Sequence, residues 1–353
     1  MSAAALPLGR MRPRRAMLLA PGQIELRDFA PPRPQPGELL VQVRCALSCG
    51  TDLKTWRRGH PLWKFPMAFG HEFAGVVVET GAGVEAFRAG DEVMIAPTAP
   101  CGECFYCRRG QENLCDSAAP QLLHGAYADL ILVPARIVAR NTFLKPAELP
   151  FEDAALLEPI ACVLHAHAAA APERSETAMI IGAGAFGMLH MIALRAAGVR
   201  EIAVAGRGAA RLKWAAELGA DHVIDVERQD AAAAAARLNH GFGPDLVIEC
   251  TGQVSGWADA FARVRRGGRV VFFGGCAPAT ALSVDTRRMH YDNLTLLAPF
   301  HYRPRDVRDA YQMLARRAAN FAAVINARRS LADLSEVFTM LERGDALKCA
   351  VIP

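Results

Sequence analysis

The sequence predicts an α/β protein in two parts: a β-rich, barrel-like domain and a doubly wound parallel sheet. Three observations carry this. At 353 residues the chain is long for one core, so two domains are expected. Over the first 150 or so residues, short β-type runs alternate with Pro- and Gly-rich joints. From residue 151 onward strand-like and helix-like segments alternate, the pattern of a parallel sheet with crossover helices.

Taken in order, ELLVQVRCA (38–46), EFAGVVVET (72–80), DEVMIAP (91–97) and ADLILVP (128–134) read as strands, separated by joints such as APPRPQPGE. FEDAALLEPIACVLHAHAAA (151–170) reads as helix, broken at Pro159. TAMIIG (177–182) is a strand feeding a helix that ends near Gly198, and EIAVAG (201–206) feeds ARLKWAAELGA (210–220). HVIDV, PDLVIEC, RVVFFGG and NLTLLAP follow as short strands. The tail returns to shorter elements and ends in ALKCAVIP (346–353), a strand that completes the first domain. No internal repeat is visible. The expected bounds are 1–152 with 300–353 for the first domain, and 153–299 for the second.

Composition narrows the function. Hydrophobic content of 52% and charged content of 22% describe a globular chain, and a net charge of +4 is mild. It gives no reason to expect nucleic acid or an anionic membrane as a partner. The arginines at 10, 12, 14 and 15 read as a solvated N-terminal extension. The apolar run AMLLA is cut by Pro21-Gly22, too short for a secretory segment, and 178–194 contains Gly182, Gly184 and Gly187, which suits a strand, turn and helix better than a membrane span. A cytoplasmic location is expected. There, ten cysteines suit metal binding or burial better than disulfides.

Gly182-x-Gly184-x-x-Gly187, with Ala185 and Phe186 between, follows an apolar strand and opens a helix. In that context the glycines permit a tight turn and close backbone approach to a pyrophosphate seated on the helix N-terminus. An NAD site would end the next strand with Asp or Glu, for the ribose hydroxyls. Here that position is Gly206, followed by Arg207 and Arg211. A carboxylate would repel a 2′-phosphate; its absence favours NADP over NAD, the bland alternative being arginines that only face solvent.

CGECFYCRRGQENLC supplies Cys101, Cys104, Cys107 and Cys115, spaced C-x2-C-x2-C-x7-C among loop residues. Four thiolates match a closed, structural zinc within a lobe of about 98–116; an iron–sulfur cluster uses the same ligands. A second set is spread out. Cys49 lies in LSCGTDLKTW, His71 and Glu72 precede a strand, and Glu158 sits in an apolar helix where a lone carboxylate is costly. Singly, His71 reads as a core histidine and Cys49 as a small hydrophobe. Together they form a Cys/His/Glu shell that leaves a coordination position open for substrate at a catalytic zinc.

CGTD, GHEFAGVV, the four-cysteine lobe, LLEP, GAGAFG, VIECTG and GGRVVFFGG, in this order, resemble the zinc-dependent medium-chain dehydrogenase/reductase family of alcohol, sorbitol and threonine dehydrogenases. The resemblance covers nearly the whole chain from about residue 16. It implies a GroES-like catalytic domain from both chain ends with a Rossmann domain inserted, two zinc ions per chain, and a dimer or tetramer. It implies that Cys49 and His71 are catalytic zinc ligands and that Glu72 and Glu158 are the acids that alternate as third ligand or hold the bound water. Acid at 158, where alcohol dehydrogenases have cysteine, is similar to the polyol and threonine branch. Thr51 matches the hydroxyl that passes on the substrate proton, whereas Lys54 stands where many relatives place a relay histidine. The implied reaction is reversible oxidation of a secondary alcohol (polyol, sugar-like or amino alcohol) to a ketone, with hydride passing to NAD(P). A non-catalytic NADP-binding redox sensor and a zinc-free enone or quinone reductase are the competing readings; the intact metal trio and cysteine lobe argue against both. The basic loop TWRRGHPLWKFP (55–66) could suit a polar or anionic substrate, or could face solvent.

Overall fold

The computed structural model describes residues 12–118 and 120–353. Sixteen strands carry the architecture: β1 (Arg14–Ala20), β2 (Gln23–Asp28), β3 (Leu39–Leu47), β4 (Met67–Ala68), β5 (Glu72–Thr80), β6 (Glu92–Ile95), β7 (Leu130–Val133), β8 (Thr142–Leu144), β9 (Thr177–Ile181), β10 (Glu201–Gly206), β11 (His222–Asp225), β12 (Leu246–Glu249), β13 (Arg269–Phe272), β14 (Thr295–Leu297), β15 (Ile325–Ser330) and β16 (Lys348–Ile352).

The chain forms two compact units. The first holds residues 1–161, 302–318 and 325–353. Its larger sheet runs β15-β16-β3-β5-β6-β8, with β7 also paired to β3; a smaller one runs β2-β1-β4. All these pairs are antiparallel except β15 with β16. β3 and β5 lie mid-sheet and are largely buried on both faces, which is why they read as mostly hydrophobic runs. Phe69, Phe73, Tyr127 and Phe338 fill the core between sheet and C-terminal helix, and each fully buried ring contributes about 1.5–3 kcal/mol from its apolar surface. This is the β-rich unit expected from both ends of the chain.

The second unit holds residues 162–301 and 319–324. Its six strands are all parallel, in the order β11-β10-β9-β12-β13-β14. That is a doubly wound Rossmann sheet, and its strand order reverses at β9, whose C-terminal end carries the glycine-rich turn.

Several expectations need correction. Arg14 and Arg15 are no extension: they begin β1, with Arg14 ion-paired to Asp129 and Arg15 over the Phe29 ring, because pairing with β2 recruits this end of the chain; Arg10 lies outside the described residues. Pro159 breaks nothing. The helix Phe151–Ala154 ends first, and Pro159 sits in the opening turn of Leu157–Ala170, where its missing N–H costs no helical bond. The first unit runs to Ala161 and the second begins at Cys162, inside that helix. Residues 319–324 also join the second unit.

Within the second unit, His167 and His190 bury side by side, Nε2 of one 3.1 Å from Nδ1 of the other. Burial pushes His167 down to about 4, and burial plus His167 pushes His190 well below its usual value. An unfolded histidine titrates near 6.5, so the unfolded chain takes up a proton between about pH 6.5 and 4 that the native state refuses. Stability from this pair is therefore full above pH 6.5 and falls as pH drops towards 4. From pH 7 to pH 5 the native protein should lose about 2 kcal/mol more than the non-titrating His167→Gln variant, read by urea unfolding. Parallel pH profiles for the two proteins would contradict the assignment.

Candidate active site

Strand register assembles the first cluster. β3 and β5 pair with Leu47 opposite Glu72, so Cys49, two residues past Leu47, meets His71 and Glu72 at the same end. β16 pairs with β3 through Ala350 and Leu47, which brings Lys348 alongside Ser48. There Lys348 Nζ donates to Ser48 O at 2.7 Å, and Cys349 N donates to Ser48 Oγ at 2.8 Å. Cys49 caps the helix Gly50–Arg58: its sulfur accepts the Thr51 amide at 3.4 Å, a setting that favours thiolate through the exposed N–H groups of the first turn.

One ligand atom each from Cys49, His71 and Glu72 lies within 4.8 Å of the others, and all three residues are buried. Around them stands a supporting shell. His71 Nδ1 is 3.0 Å from Asp52 Oδ1, and Asp52 Oδ2 accepts from the Tyr127 hydroxyl at 2.8 Å, which also contacts Leu47 O at 3.1 Å. Asp52 thereby fixes the ring and leaves Nε2 for the cluster, the carboxylate–histidine arrangement of metal sites. Glu72 pairs with Lys348, each almost fully buried, while Glu72 Oε1 is buried with no hydrogen-bond partner.

The electrostatics match a cation site. Burial pushes the Glu72 carboxyl up to about 7, with Lys348 opposing and Glu158 adding to the shift. Burial and then Glu72 push the Cys49 thiol up, against His71. Burial disfavours charge on His71, but Asp52 and Cys49 outweigh it and hold its pKa well above the usual value. Acidic groups thus outnumber the one lysine in a dry place. A divalent ion would relieve all of them, and the thiolate, imidazole and carboxylate donors are those zinc takes.

Glu158 lies apart from this trio. It is buried in the first turn of Leu157–Ala170, and its charge acts on Glu72 and Lys348, but its oxygens do not join the three clustered ligand atoms. Thr51 follows Cys49 in the helix, half-buried, and Lys54 is exposed on the same helix. Asp52, Tyr127 and Lys348 escaped the sequence reading. Lys348 had a signal: a lone lysine in an apolar strand is as costly as the lone Glu158 that was noticed.

The second cluster is the cysteine lobe. Cys101, Cys104, Cys107 and Cys115 place their sulfurs within 4.8 Å of one another, and none forms a disulfide. Cys101 and Cys107 sulfurs are 3.9 Å apart, near the edge of about 3.8 Å in a tetrahedron with bonds of about 2.3 Å. Backbone amides turn inward: Glu103 and Cys104 donate to the Cys101 sulfur, and Cys101 donates to Cys115. Burial pushes Cys107 up to about 12, whereas hydrogen bonds from Ser117 and the Cys101 amide overcome burial and bring Cys115 to about 6.

In the second unit, the helix Ala185–Ala196 begins right after Gly184. A Cβ on Gly187 would fall 2.0 Å from Gly182 O, whereas a Cβ on Gly184 would meet nothing within 4 Å. The third glycine is thus required for packing, and the middle one leaves bare backbone where a pyrophosphate can approach the helix N-terminus. Phe186 packs on Phe273 with ring centroids 5.0 Å apart. Gly206 ends β10, where a Cβ would lie 2.7 Å from that of Ala183, so any side chain there, an acid included, would force the turn to shift. Arg207 beyond it is exposed, and Arg211 is half-buried in the helix Ala209–Glu217. Buried Glu249 accepts the Thr251 and Gly252 amides at 2.6 and 3.1 Å and shapes the VIECTG turn.

Comparison with known proteins agrees with this construction. Residues 35–142 match the alcohol dehydrogenase GroES-like domain, and residues 185–316 match the zinc-binding dehydrogenase domain. Sorbitol dehydrogenase of Halalkalibacterium halodurans is 27% identical over 91% of this chain and 94% of its own. D-altritol 5-dehydrogenase of Agrobacterium fabrum is 30% identical over 86% and 88%. The crystal structure of a Sinorhizobium meliloti 1021 protein bound to NADP superposes with a TM-score of 0.89 at 29% identity, covering 98% of this chain and all of that one. The chain belongs to the zinc-dependent medium-chain dehydrogenase/reductase family and is a dehydrogenase of its alcohol and polyol type.

Proposed function

We propose that the protein oxidises a secondary alcohol of polyol type to a ketone, reversibly, with NADP preferred over NAD. The observation that carries this reading is the buried Cys49–His71–Glu72 cluster, with its orphaned Glu72 oxygen. When bound, zinc would supply Lewis acidity at the substrate oxygen and the nicotinamide would accept the hydride. Cys49, His71 and Glu72 would hold that zinc, with Glu158 as the alternate acid. Cys101, Cys104, Cys107 and Cys115 would hold a second, structural zinc.

The remaining work belongs to the chain's own side chains. Asp52 orients His71 through Nδ1 and is itself held by Tyr127. Lys348 offsets the charge of Glu72 and fixes which oxygen faces the cluster. Thr51, half-buried and two residues past Cys49, would take the substrate hydroxyl proton. Lys54 is exposed on the same helix and is assigned no step in that relay. Gly182, Gly184, Ala185, Phe186 and Gly187 would bind the pyrophosphate. Gly206 leaves the 2′-position uncharged, and Arg207 and Arg211 supply positive charge for a phosphate there.

Three outcomes test this reading. Purified protein should oxidise polyols with kcat/KM at least tenfold higher for NADP than for NAD; a clear NAD preference would overturn the cofactor assignment. Cys49→Ser should fold, judged by circular dichroism, yet lose nearly all turnover; retained activity would remove Cys49 from the site. Asp52→Asn should weaken retention of one of two zinc ions about 10–100-fold in a chelator titration, because the carboxylate that holds His71 through Nδ1 is lost. Unaltered release of both ions would contradict the role of Asp52.

A further inference from the structure

Beside the metal-ligand cluster, the first unit holds half-buried aromatic rings, three of whose polar atoms are buried without a hydrogen-bond partner. Trp63 stacks on His60 with ring centroids 3.6 Å apart, and His124 meets Trp63 edge-on at 4.4 Å. Backbone contacts fix this group. His60 and Trp63 form an isolated antiparallel bridge, and Gly125 and Ala126 donate to Gly70 O at 2.9 and 3.1 Å. Gly70 directly precedes His71, so His124 is anchored at the entry to the strand that carries the cluster, close enough for His71 and Asp52 to act on its charge. Trp63 Nε1 and both ring nitrogens of His124 are buried without a hydrogen-bond partner.

An unpaired buried polar atom costs about 1–3 kcal/mol, and native proteins keep few of them. Three in one contiguous stack therefore point to a ligand that completes them. Its chemistry follows from theirs. Burial pushes His124 down to about 4, so the ring is neutral at pH 7, with one nitrogen donating and the other accepting. Trp63 adds a further donor. The charged residues of the same loop, Arg57, Arg58 and Lys64, are exposed, and Arg57 pairs with Glu342 at 2.9 Å, so positive charge does not line the stack. Neutral donors and acceptors on flat rings complement hydroxyl groups and the C–H faces between them; a carboxylate or phosphate needs cationic donors.

We propose that Trp63 and His124, braced by His60, form a subsite for hydroxyl groups flanking the reacting carbinol, and so select neutral polyols over monohydric and phosphorylated alcohols. This rests on the dehydrogenase reading above. These are specificity-determining residues, and their signature is a substrate ratio.

The test uses the zinc-loaded full chain with pentitols, hexitols, a hexitol phosphate and 2-butanol. Trp63→Phe keeps the stack and removes the N–H; His124→Phe removes both nitrogens. Each should lower the ratio of kcat/KM for the best polyol to that for 2-butanol at least tenfold, chiefly through KM, and His124→Gln, which keeps a donor and an acceptor, should recover much of it. A ratio unchanged within threefold in both Phe variants overturns the subsite, as does a wild-type preference for the phosphorylated polyol. If the wild type oxidises no alcohol with NAD or NADP, the dehydrogenase reading fails on its own. The subsite is then judged by calorimetric titration of the same polyols: binding lost in both Phe variants upholds it, and no binding by the wild type overturns it.

Discussion

Ionisable side chains buried at one end of a β-sheet set the terms for the first unit. Asp52, Glu72 and Glu158 lie in the interior with Cys49 and His71, and Lys348 is the basic residue that answers them. Desolvating a charge costs several kcal/mol unless it is paired and hydrogen-bonded; Lys348 pairs with Glu72 and His71 with Asp52, and the Cys49 thiol and Glu158 carboxyl add further acidic groups beside them. The chain tolerates this set because each member has an assigned neighbour and because a cation can supply what remains. Under the proposed function chemistry and folding are coupled here: the groups that would activate an alcohol are also those least stable without a metal.

Register is what makes the cluster reproducible. Cys49, His71, Glu72 and Lys348 come from three strand ends, far apart in sequence, and a one-residue slip of β5 or β16 would turn their side chains to the opposite face. The apolar bodies of β3 and β5 resist such a slip, since it would expose a buried run. The cysteine lobe solves a different problem. It has few buried apolar residues, so ordering its loop residues calls for a bound ion in place of a core. Where the sheet holds a site by packing, the lobe would be held by its site.

Much of this was legible in the sequence, for reasons that are local. The glycine turn after β9, the C-x2-C-x2-C lobe and the polarity of Glu158 in an apolar helix are each short-range signals. Fold class was legible too, because strand runs and strand-helix alternation persist over many residues. What escaped depends on tertiary geometry. Asp52 sits one residue past Thr51 in the quoted motif, but its bond to His71 exists only once β3 and β5 pair. Lys348 becomes a site residue only when the C-terminal strand joins β3. Pro159 looked like a breaker because proline within a helix and proline in a first turn are spelled alike. Glu158 is not among the three ligand atoms that cluster, and nothing in the spacing of the sequence separates it from Glu72.

The central claim is that this chain holds a mixed-ligand metal centre separate from an all-sulfur one. Zinc K-edge X-ray absorption on the full-length protein, with metal analysis, tests it most directly. The account predicts about two zinc ions per chain and an averaged shell of about 2.5 sulfur and about 1.5 nitrogen or oxygen ligands per zinc, from one four-sulfur site and one site with a single thiolate. One zinc per chain with only sulfur ligands would contradict it, since Cys49, His71 and Glu72 would then hold no metal.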